Sequence, residues 1–375
     1  MRVRSAVLRE MGAAEPYAES RPLEIAELEL DPPGPGELLV RVRAAGLCHS
    51  DLSVINGSRP RVMPMALGHE AAGEVVGTGP GVSGFAAGDH VVLAFVPACG
   101  ECEPCRAGRA ALCEPGAAAN HAGTLLSGER RLATPEGEAI NHHLGVSAFS
   151  DHIVVSEASA VKVDPELPFE IAALFGCAVL TGVGAAVNAA RIEPGQRVAV
   201  FGLGGVGLSA LLGAVLQGAG TIVAVDVVAD KLELARELGA TDTIEAGPGA
   251  VAAIRELTAG GADHAIETVG SARVLTDAYD ATRRGGTTTT VGLPDPSQML
   301  SIPAVSLVAE ERVLRGSYLG SSVPARDLPK FIDLHRQGKL RVERLLTHRI
   351  ALDEINEGFD RLARGEAVRQ AVIFD

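Results

Sequence analysis

The stretch that decides the fold is RVAVFGLGGVG, residues 197–207. Its apolar first half predicts a buried strand, and the glycines of Gly202-x-Gly204-x-x-Gly207 predict a tight turn that opens a helix. In such a turn the first glycine bends the chain, the second lets the backbone approach a pyrophosphate, and the third lets helix and strand pack closely. The helix N-terminus then favours the anion. The stretch therefore predicts a dinucleotide-binding unit.

An acidic residue follows at the place where such a unit needs one. A second strand pattern, residues 221–226, ends in Asp226, 19 residues after Gly207. Its carboxylate would accept hydrogen bonds from an adenosine ribose and repel a 2′-phosphate, so NAD is favoured over NADP. Lys231 is either a solvated helix charge or a second group beside that ribose. The predicted contacts of this motif are Gly202, Leu203, Gly204, Gly205, Val206, Gly207 and Asp226.

Strand and helix patterns alternate around the motif. Strand patterns at residues 197–202, 221–226, 263–267 and 287–291 are separated by helical patterns at 205–217, 229–238 and 274–283. This alternation predicts an α/β fold with a doubly wound parallel sheet. Residues 1–170 instead show short strands punctuated by Gly and Pro, which predicts a β-rich domain. We expect a cofactor domain at 179–321 and a second domain formed by 1–178 and 322–375, because the C-terminal segment is short for a domain of its own.

Charge and composition narrow the classes of function. The 33 Lys and Arg residues and 47 Asp and Glu residues give a net charge of −14, which argues against a nucleic-acid partner. Residues 171–190 and 198–225 carry no charge and are long enough to cross a bilayer, but their glycines favour buried strands and helices, so no membrane partner is expected. The N-terminus lacks the apolar run of a secretory signal. We therefore expect a cytoplasmic protein with reduced cysteines.

The six cysteines fall into two groups with different zinc chemistry. One group is a C-x2-C-x2-C-x7-C run formed by Cys99, Cys102, Cys105 and Cys113. Four thiolates at this spacing can enclose one ion in a closed tetrahedral site, and a redox pair is the alternative. Cys48 and Cys177 stand apart, and with His69 they form a set that can leave one zinc position open for catalysis. The alternative for these three residues is two buried thiols and a core histidine.

Several motifs resemble those of the zinc-dependent medium-chain alcohol dehydrogenases. They are GLCHSD at 46–51, GHE at 68–70, the four-cysteine run, FGC at 175–177 with Thr181 and Gly182, the glycine-rich turn, and INEGF at 355–359. The resemblance covers nearly the whole chain. It implies a GroES-like catalytic domain with a structural zinc lobe at 97–115, and a Rossmann domain that binds NAD. It also implies two zinc ions per chain.

This resemblance assigns roles around the catalytic zinc. Cys48, His69 and Cys177 would hold the ion, and the four-cysteine run would hold a structural zinc. Asp51 would orient His69. Glu70 would approach the metal during ligand exchange. The implied reaction is reversible hydride transfer between a primary or secondary alcohol and NAD, giving an aldehyde or ketone, with the metal as a Lewis acid.

The resemblance extends to the cofactor and to proton transfer. His49 and Arg369 match basic residues that contact the pyrophosphate, and Ser50 matches the hydroxyl that takes the alcohol proton. Ser53 stands where many relatives carry the terminal histidine of the proton relay, so water would take over that step here. The remaining implied cofactor contacts are Thr181, Lys231, Val291, Gly292 and Leu293.

Mostly apolar residues are expected around the substrate. The predicted pocket is formed by Ser50, Phe95, Leu144, Leu293 and Tyr318, although each apolar member could instead be an ordinary core residue. Ser50 is small at the metal end. This set favours an apolar alcohol that is bulky or aromatic.

Two other functions stay open, together with a predicted assembly. The thiol-dependent formaldehyde dehydrogenases are similar in length and lobe, but they carry an arginine where this chain has Ala117 and an acidic residue where it has Arg59. A non-catalytic scaffold that binds NAD and zinc should have lost a catalytic ligand, and none is lost here. The long segment at 113–149 resembles that of dimeric members, so we expect a homodimer paired through the cofactor domains.

Overall fold

The chain forms two units in a computed structural model that describes all 375 residues. The first unit comprises Met1–Cys177, Val323–Pro329 and Leu346–Asp375, and the second comprises Ala178–Ser322 and Lys330–Leu345. The predicted domains placed 1–178 and 322–375 in the first unit, whereas residues 178, 322 and 330–345 lie in the second. The physical reason lies in their partners: Arg341 donates a hydrogen bond to the Glu237 carbonyl, and Arg344 forms an ion pair with the Glu237 carboxylate.

The N-terminal part of the first unit is rich in strands. Its strands are β1 (Arg2–Leu8), β2 (Leu23–Leu30), β3 (Glu37–Gly46), β4 (Met65–Ala66), β5 (Ala71–Thr78), β6 (His90–Leu93), β7 (Leu132–Ala133), β8 (Ala139–His142), β9 (His152–Ser156) and β10 (Ala160–Lys162). Its helices are α1 (Tyr17–Ser20), α2 (His49–Ile55), α3 (Glu103–Arg106), α4 (Glu114–Ala122) and α5 (Phe169–Leu174).

Strands and helices alternate in the second unit. In chain order they are α6 (Leu180–Gly184), β11 (Arg197–Phe201), α7 (Gly205–Leu216), β12 (Thr221–Asp226), α8 (Ala229–Leu238), β13 (Asp242–Glu245), α9 (Ala250–Leu257), β14 (Ala262–Glu267), α10 (Ala272–Ala281), β15 (Thr282–Thr290), α11 (Ala304–Ala309) and β16 (Val313–Gly316). After α12 (Pro324–Arg336), the chain ends with β17 (Leu346–Ile350), α13 (Ile355–Ala363) and β18 (Arg369–Ile373).

The first unit holds a small closed barrel and a larger sheet. The barrel order is β1-β2-β7-β8-β4, and the sheet order is β10-β6-β5-β3-β18-β17, with β9 also paired to β3. Strand β3 is central because Leu38, Val40 and Val42 alternate into the core and are fully buried. The last strand, β18, pairs with β3, so the C-terminal segment completes this sheet.

The second unit is a six-stranded parallel sheet in the order β13-β12-β11-β14-β15-β16. Numbered within the unit, this is the order 3-2-1-4-5-6 of a Rossmann fold. The central strand β11 is buried on both faces, which explains the unbroken apolar run Val198, Ala199 and Val200. The predicted doubly wound α/β fold is confirmed.

One helical stretch, Phe169–Ala190, is long and apolar enough to cross a membrane by length and composition. An 18-residue window of this stretch has a mean hydropathy of 1.9, and 89% of that window is buried inside the protein. The residues act as core, because burial of a helix on all sides requires an apolar surface on all sides.

Candidate active site

The ends of two paired strands bring Cys48 and His69 together. Ala45 of β3 pairs with Ala71 of β5, and the Gly46 N–H donates to the Glu70 carbonyl at 2.8 Å. Cys48 follows the end of β3, and His69 precedes the start of β5. The antiparallel register therefore places both side chains at the same end of the strand pair.

Cys177 reaches the same place because a glycine precedes it. A Cβ atom on Gly176 would lie 2.4 Å from the Leu93 carbonyl at the end of β6, so only glycine allows this approach. The metal-binding atoms of Cys48, His69 and Cys177 lie within 4.8 Å of one another, and all three residues are buried. The structure thus brings the predicted catalytic ligands together.

The donor atoms of this cluster fit a zinc ion. The Nδ1 atom of His69 lies 3.0 Å from Asp51 Oδ1, whereas its Nε2 atom is buried and has no hydrogen-bond partner. A carboxylate that accepts from Nδ1 fixes the tautomer in which Nε2 carries the lone pair. Burial disfavours a charged imidazole and lowers the pKa of His69, but the Asp51 carboxylate reverses this effect and raises it well above its usual value. A metal that binds Nε2 would therefore displace a proton from that atom. Two thiols and one such nitrogen are ligands that zinc prefers.

Arg369 and Glu70 form a buried pair beside the two thiols. Arg369 Nη2 lies 3.7 Å from the Glu70 carboxylate, and its Nη1 donates to the Leu47 carbonyl at 2.8 Å. A hydrogen bond with the Cys177 thiol and the Arg369 charge hold the pKa of Cys48 well below its usual value. The cluster therefore favours a thiolate at Cys48, the form that binds a metal.

The four-cysteine run folds into a single cluster in residues 97–115. The sulfur atoms of Cys99, Cys102, Cys105 and Cys113 lie within 4.8 Å of one another. Backbone N–H groups donate to two of these sulfur atoms. The Cys99 sulfur accepts from Glu101 and Cys102, both at 3.4 Å. The Cys113 sulfur accepts from Cys99 at 3.3 Å and from Gly116 at 3.4 Å. The bonds from Cys102 and Glu101 lower the pKa of Cys99 to about 7. This lobe suits a closed tetrahedral zinc site.

Of the motif glycines Gly202, Gly204 and Gly207, only Gly204 leaves room for a ligand. Gly202 has a positive φ of 86°, and a Cβ on Gly207 would lie 1.7 Å from the Gly202 carbonyl, so both are required by the turn itself. A Cβ on Gly204 would meet nothing within 4 Å. Gly204 also caps the N-terminus of α7, where N–H groups favour an anion. This open cradle fits a pyrophosphate.

Asp226 lies at the end of β12, beside that turn. Its carboxylate accepts from the Leu203 N–H at 2.6 Å and from the Val228 N–H at 2.9 Å. These bonds hold the side chain in place, and each carboxylate oxygen can accept a further bond. Lys231 is half-buried on α8, five positions farther along the chain.

Other predicted cofactor contacts lie in the second unit as well. Val291 and Gly292 follow β15, and their N–H groups donate to the Glu267 carbonyl at 2.8 and 3.3 Å. Leu293 comes next and is exposed. Thr181 lies on α6, where a Cβ on Gly182 would meet the Val206 carbonyl at 2.2 Å, so α6 touches the first turn of α7. These positions are close to the carboxyl ends of the parallel strands, the usual place for a ligand in this fold.

The remaining predicted residues divide between the two units. His49, Ser50 and Ser53 lie on α2, and the Ser53 hydroxyl donates to the His49 carbonyl at 2.8 Å. Phe95 and Leu144 belong to the first unit and are buried, and Tyr318 belongs to the second and is 37% exposed. The Phe95 ring stands edge-on to the His69 imidazole, with the ring centroids 5.5 Å apart.

Two family models match the chain over both units. An alcohol dehydrogenase GroES-like domain matches residues 34–165, and a zinc-binding dehydrogenase matches residues 205–337. The S-(hydroxymethyl)glutathione dehydrogenase of Paracoccus denitrificans is 36% identical over 384 positions, which cover 100% of each chain. The chain belongs to the zinc-binding medium-chain alcohol dehydrogenase family. It is therefore an oxidoreductase that uses zinc and a nicotinamide cofactor.

Solved structures of this dehydrogenase family share the whole fold. An alcohol dehydrogenase zinc-binding domain protein from Burkholderia ambifaria superposes with a TM-score of 0.93 at 37% identity, covering 100% of this chain and 99% of the other. The benzyl alcohol dehydrogenase of Acinetobacter calcoaceticus superposes with a TM-score of 0.92 at 33% identity, covering 100% of both chains.

The sequence-based prediction missed one member of the dehydrogenase's buried cluster. His143 Nδ1 lies 3.1 Å from Asp51 Oδ1, the same oxygen that faces His69. Burial lowers the pKa of His143 and thus favours the neutral ring. The sequence shows a His142-His143 pair before Leu144, but nothing in that pair identifies a partner.

Proposed function

We propose that this dehydrogenase oxidises bulky or aromatic apolar alcohols to aldehydes or ketones with NAD, reversibly. The observation that carries the proposal is an aromatic ring, Phe95, beside the candidate zinc site. Phe95 is 7% exposed and stands edge-on to His69. An aromatic ring beside the metal ligands favours an apolar substrate, and ring pairs gain about 0.5–1.5 kcal/mol beyond their area burial. The structural similarity to a benzyl alcohol dehydrogenase supports the same substrate class.

The proposed reaction distributes tasks among the residues of the chain. Cys48, His69 and Cys177 would hold a zinc ion, which would supply the Lewis-acid chemistry that lowers the pKa of an alcohol hydroxyl. Asp51 orients His69 for this ligation, with Nδ1 held at 3.0 Å. Ser50, two residues after Cys48, accepts the released proton.

Two buried charges complete the proposed site. Glu70 would approach the metal during ligand exchange. Arg369 pairs with that carboxylate and would offer a positive charge to the cofactor pyrophosphate. His49, at the start of α2, is the second basic contact to the same group. Arg369 and His49 would thus compensate the negative charge of the pyrophosphate, and Arg369 also compensates that of the Glu70 carboxylate.

The proposed cofactor is NAD rather than NADP. Asp226 is held by two backbone N–H groups and is only 9% exposed. A fixed carboxylate at this position can accept bonds from two ribose hydroxyls but repels a 2′-phosphate. Lys231, Thr181, Val291, Gly292 and Leu293 are proposed as the other contacts along the cofactor.

A thiol-adduct formaldehyde dehydrogenase is the second candidate function. Similarity to an S-(hydroxymethyl)glutathione dehydrogenase favours it. Two residues argue against it, because recognition of a glutathione carboxylate needs a cation near the lobe. Ala117, on an exposed position of α4, cannot supply one. Arg59 also reverses the charge expected near the pocket mouth.

A substrate screen separates these functions. We expect NAD reduction with benzylic and bulky apolar alcohols at a kcat/KM at least about tenfold above that with formaldehyde plus glutathione, and little activity with NADP. The measurement follows cofactor absorbance for aliphatic, aromatic and terpenoid alcohols, with and without thiols and formaldehyde. Turnover of a formaldehyde–thiol adduct far above that of every alcohol would reject the proposal. Absence of turnover with all of them would favour the non-catalytic scaffold.

We further propose a homodimer paired through the second unit, in the cytoplasm. Strand β16 pairs only with β15, so one edge of the parallel sheet is left open. Large apolar side chains nearby are exposed: Met299 by 84%, Val305 by 71% and Val308 by 81%. An open strand edge with exposed apolar residues is typical of an interface. All six cysteines are free thiols, which suits a reducing compartment.

Sedimentation equilibrium tests the assembly. We expect the mass of two chains, and a Val308→Glu exchange should raise the dimer dissociation constant at least tenfold, because a charge at an apolar interface must be desolvated. A matched Val62→Glu exchange, at a position 46% exposed in the first unit, should leave the mass unchanged. A wild-type mass of one or four chains would contradict the proposal.

A further inference from the structure

We propose that His143 is a positioning residue for the catalytic metal site, acting by holding Asp51 in place together with His69. This inference rests on the proposed role of His69 as a zinc ligand. His143 lies outside the set of ligands, and its effect on the metal passes through the Asp51 carboxylate.

The geometry of three buried side chains carries the inference. Asp51 Oδ1 lies 3.0 Å from His69 Nδ1 and 3.1 Å from His143 Nδ1. The two imidazole rings stand edge-to-face, with centroids 5.4 Å apart and an angle of 89° between their planes. Asp51 is fully buried, and each histidine is only 1% exposed. Water is therefore excluded as the competing partner of this carboxylate.

The backbone around His143 fixes this arrangement. The His143 N–H donates to the Ala66 carbonyl at 3.3 Å, and the Ala148 N–H donates to the Gly68 carbonyl at 3.0 Å. A Cβ on Gly68 would lie 2.5 Å from the Phe149 nitrogen, so the two segments touch directly. The turn that carries His143 is thus tied to the residues that immediately precede His69.

Two backbone N–H groups also hold Asp51 in this arrangement. Its Oδ1 also lies 3.2 Å from the Gly68 N–H, and its Oδ2 lies 3.3 Å from the Cys48 N–H. An ionised carboxylate can only accept, so the hydrogen bond at 3.0 Å places a proton on His69 Nδ1. That tautomer leaves the lone pair of His69 on Nε2, the atom proposed to bind the metal. His143 Nδ1 approaches the same oxygen at 3.1 Å as a close polar contact, outside hydrogen-bond geometry. Replacing His143 would remove this close polar contact, leave one oxygen less restrained and allow the His69 ring to turn.

The predicted consequence is a weaker hold on the catalytic metal. Loss of an outer partner of a metal-ligating histidine commonly costs 10–100-fold in metal affinity. For His143→Phe, which keeps a planar ring but has no donor, we expect about a tenfold loss of affinity at the catalytic site. His143→Asn places an amide N–H near the position of Nδ1 and should recover part of that loss.

Zinc release to a chelator tests this without any activity measurement. Wild type, His143→Phe and His143→Asn are loaded with zinc, and the two zinc ions per chain are titrated with a chromophoric chelator. The zinc of the four-cysteine lobe is the internal control, because residues 97–115 contain no member of the Asp51 cluster. We expect its affinity to be unchanged in all three proteins. Cobalt substituted at the catalytic site should show a shifted visible spectrum in His143→Phe and a smaller shift in His143→Asn.

Three results would count against the inference, and they are distinguishable. Wild-type zinc affinity and an unchanged cobalt spectrum in both variants would overturn it. A third zinc in the wild type that disappears in His143→Phe would also overturn it, because His143 would then be a ligand itself. A wild-type chain that holds only the lobe zinc would overturn the proposed function first, and this inference with it.

Discussion

Replacing Cys177 with alanine is expected to abolish alcohol-dependent NAD reduction and to leave a folded chain that still binds NAD. Cys177 is buried, and its sulfur lies within 4.8 Å of the ligand atoms of the other two proposed ligands. Removing its thiolate leaves only two of the three proposed ligands of the catalytic zinc. Lewis-acid stabilisation is worth several kcal/mol, so kcat/KM should fall by a factor of about 1,000 or more. The residues proposed to bind NAD through the glycine-rich turn belong to the second unit and keep their fold.

Three measurements on purified Cys177→Ala check this expectation. Zinc analysis should find about one zinc per chain, thermal unfolding should be close to that of the wild type, and calorimetry should detect NAD binding. Cys102→Ala is the matched control, because it removes a thiol from the lobe and leaves the catalytic cluster intact. Retention of even a tenth of the wild-type kcat/KM in Cys177→Ala would show that Cys177 is no ligand of the catalytic metal.

Replacing Cys105 with alanine is expected to act on folding before it acts on chemistry. The lobe at 97–115 has only short helical segments, such as α3. Three of its four cysteines are half-exposed and only Cys113 is buried, so the lobe buries little apolar surface. Its order must then come mainly from the metal, since structural zinc sites contribute roughly 10–16 kcal/mol of apparent binding free energy in small domains. Loss of one ligand should release that zinc and unfold the lobe locally.

The expected readouts for Cys105→Ala differ from those for Cys177→Ala. Soluble yield and Tm should fall, protease cleavage should appear within 97–115, and zinc should drop to about one per chain. The fraction that remains folded should keep a wild-type KM for the alcohol, because Cys48, His69 and Cys177 are unchanged. A stable Cys105→Ala protein with two zinc ions per chain would contradict the assignment of the lobe.

Sequence patterns predicted the elements that are buried or that carry a local sequence motif. The strand predicted at 197–202 is β11, which ends one residue earlier, and the strand predicted at 221–226 is β12 with the same bounds. Strands β13 and β16 were not predicted. Both are edge strands, and their residues are largely half-buried or exposed, so neither shows the apolar run or strict alternation that identifies a strand.

The two metal clusters were predictable to different degrees and for different reasons. The lobe follows from spacing alone, because a loop of a few residues can fold four thiols around one point. The catalytic set was predicted from motifs in Gly68-His69-Glu70 and around Cys48 and Cys177. Its three members are brought together by the pairing of β3 with β5 and by the close approach of Gly176 to β6.

By itself the sequence determined the α/β class, the glycine-rich turn with Asp226, the zinc lobe and the residues proposed as catalytic ligands. These features are local in the chain, since a few neighbouring residues carry each signal. Only the tertiary structure decided that His143 faces Asp51 and that residues 330–345 belong to the second unit. Such contacts join residues far apart in sequence, and their formation depends on strand register and helix packing, which no local pattern specifies.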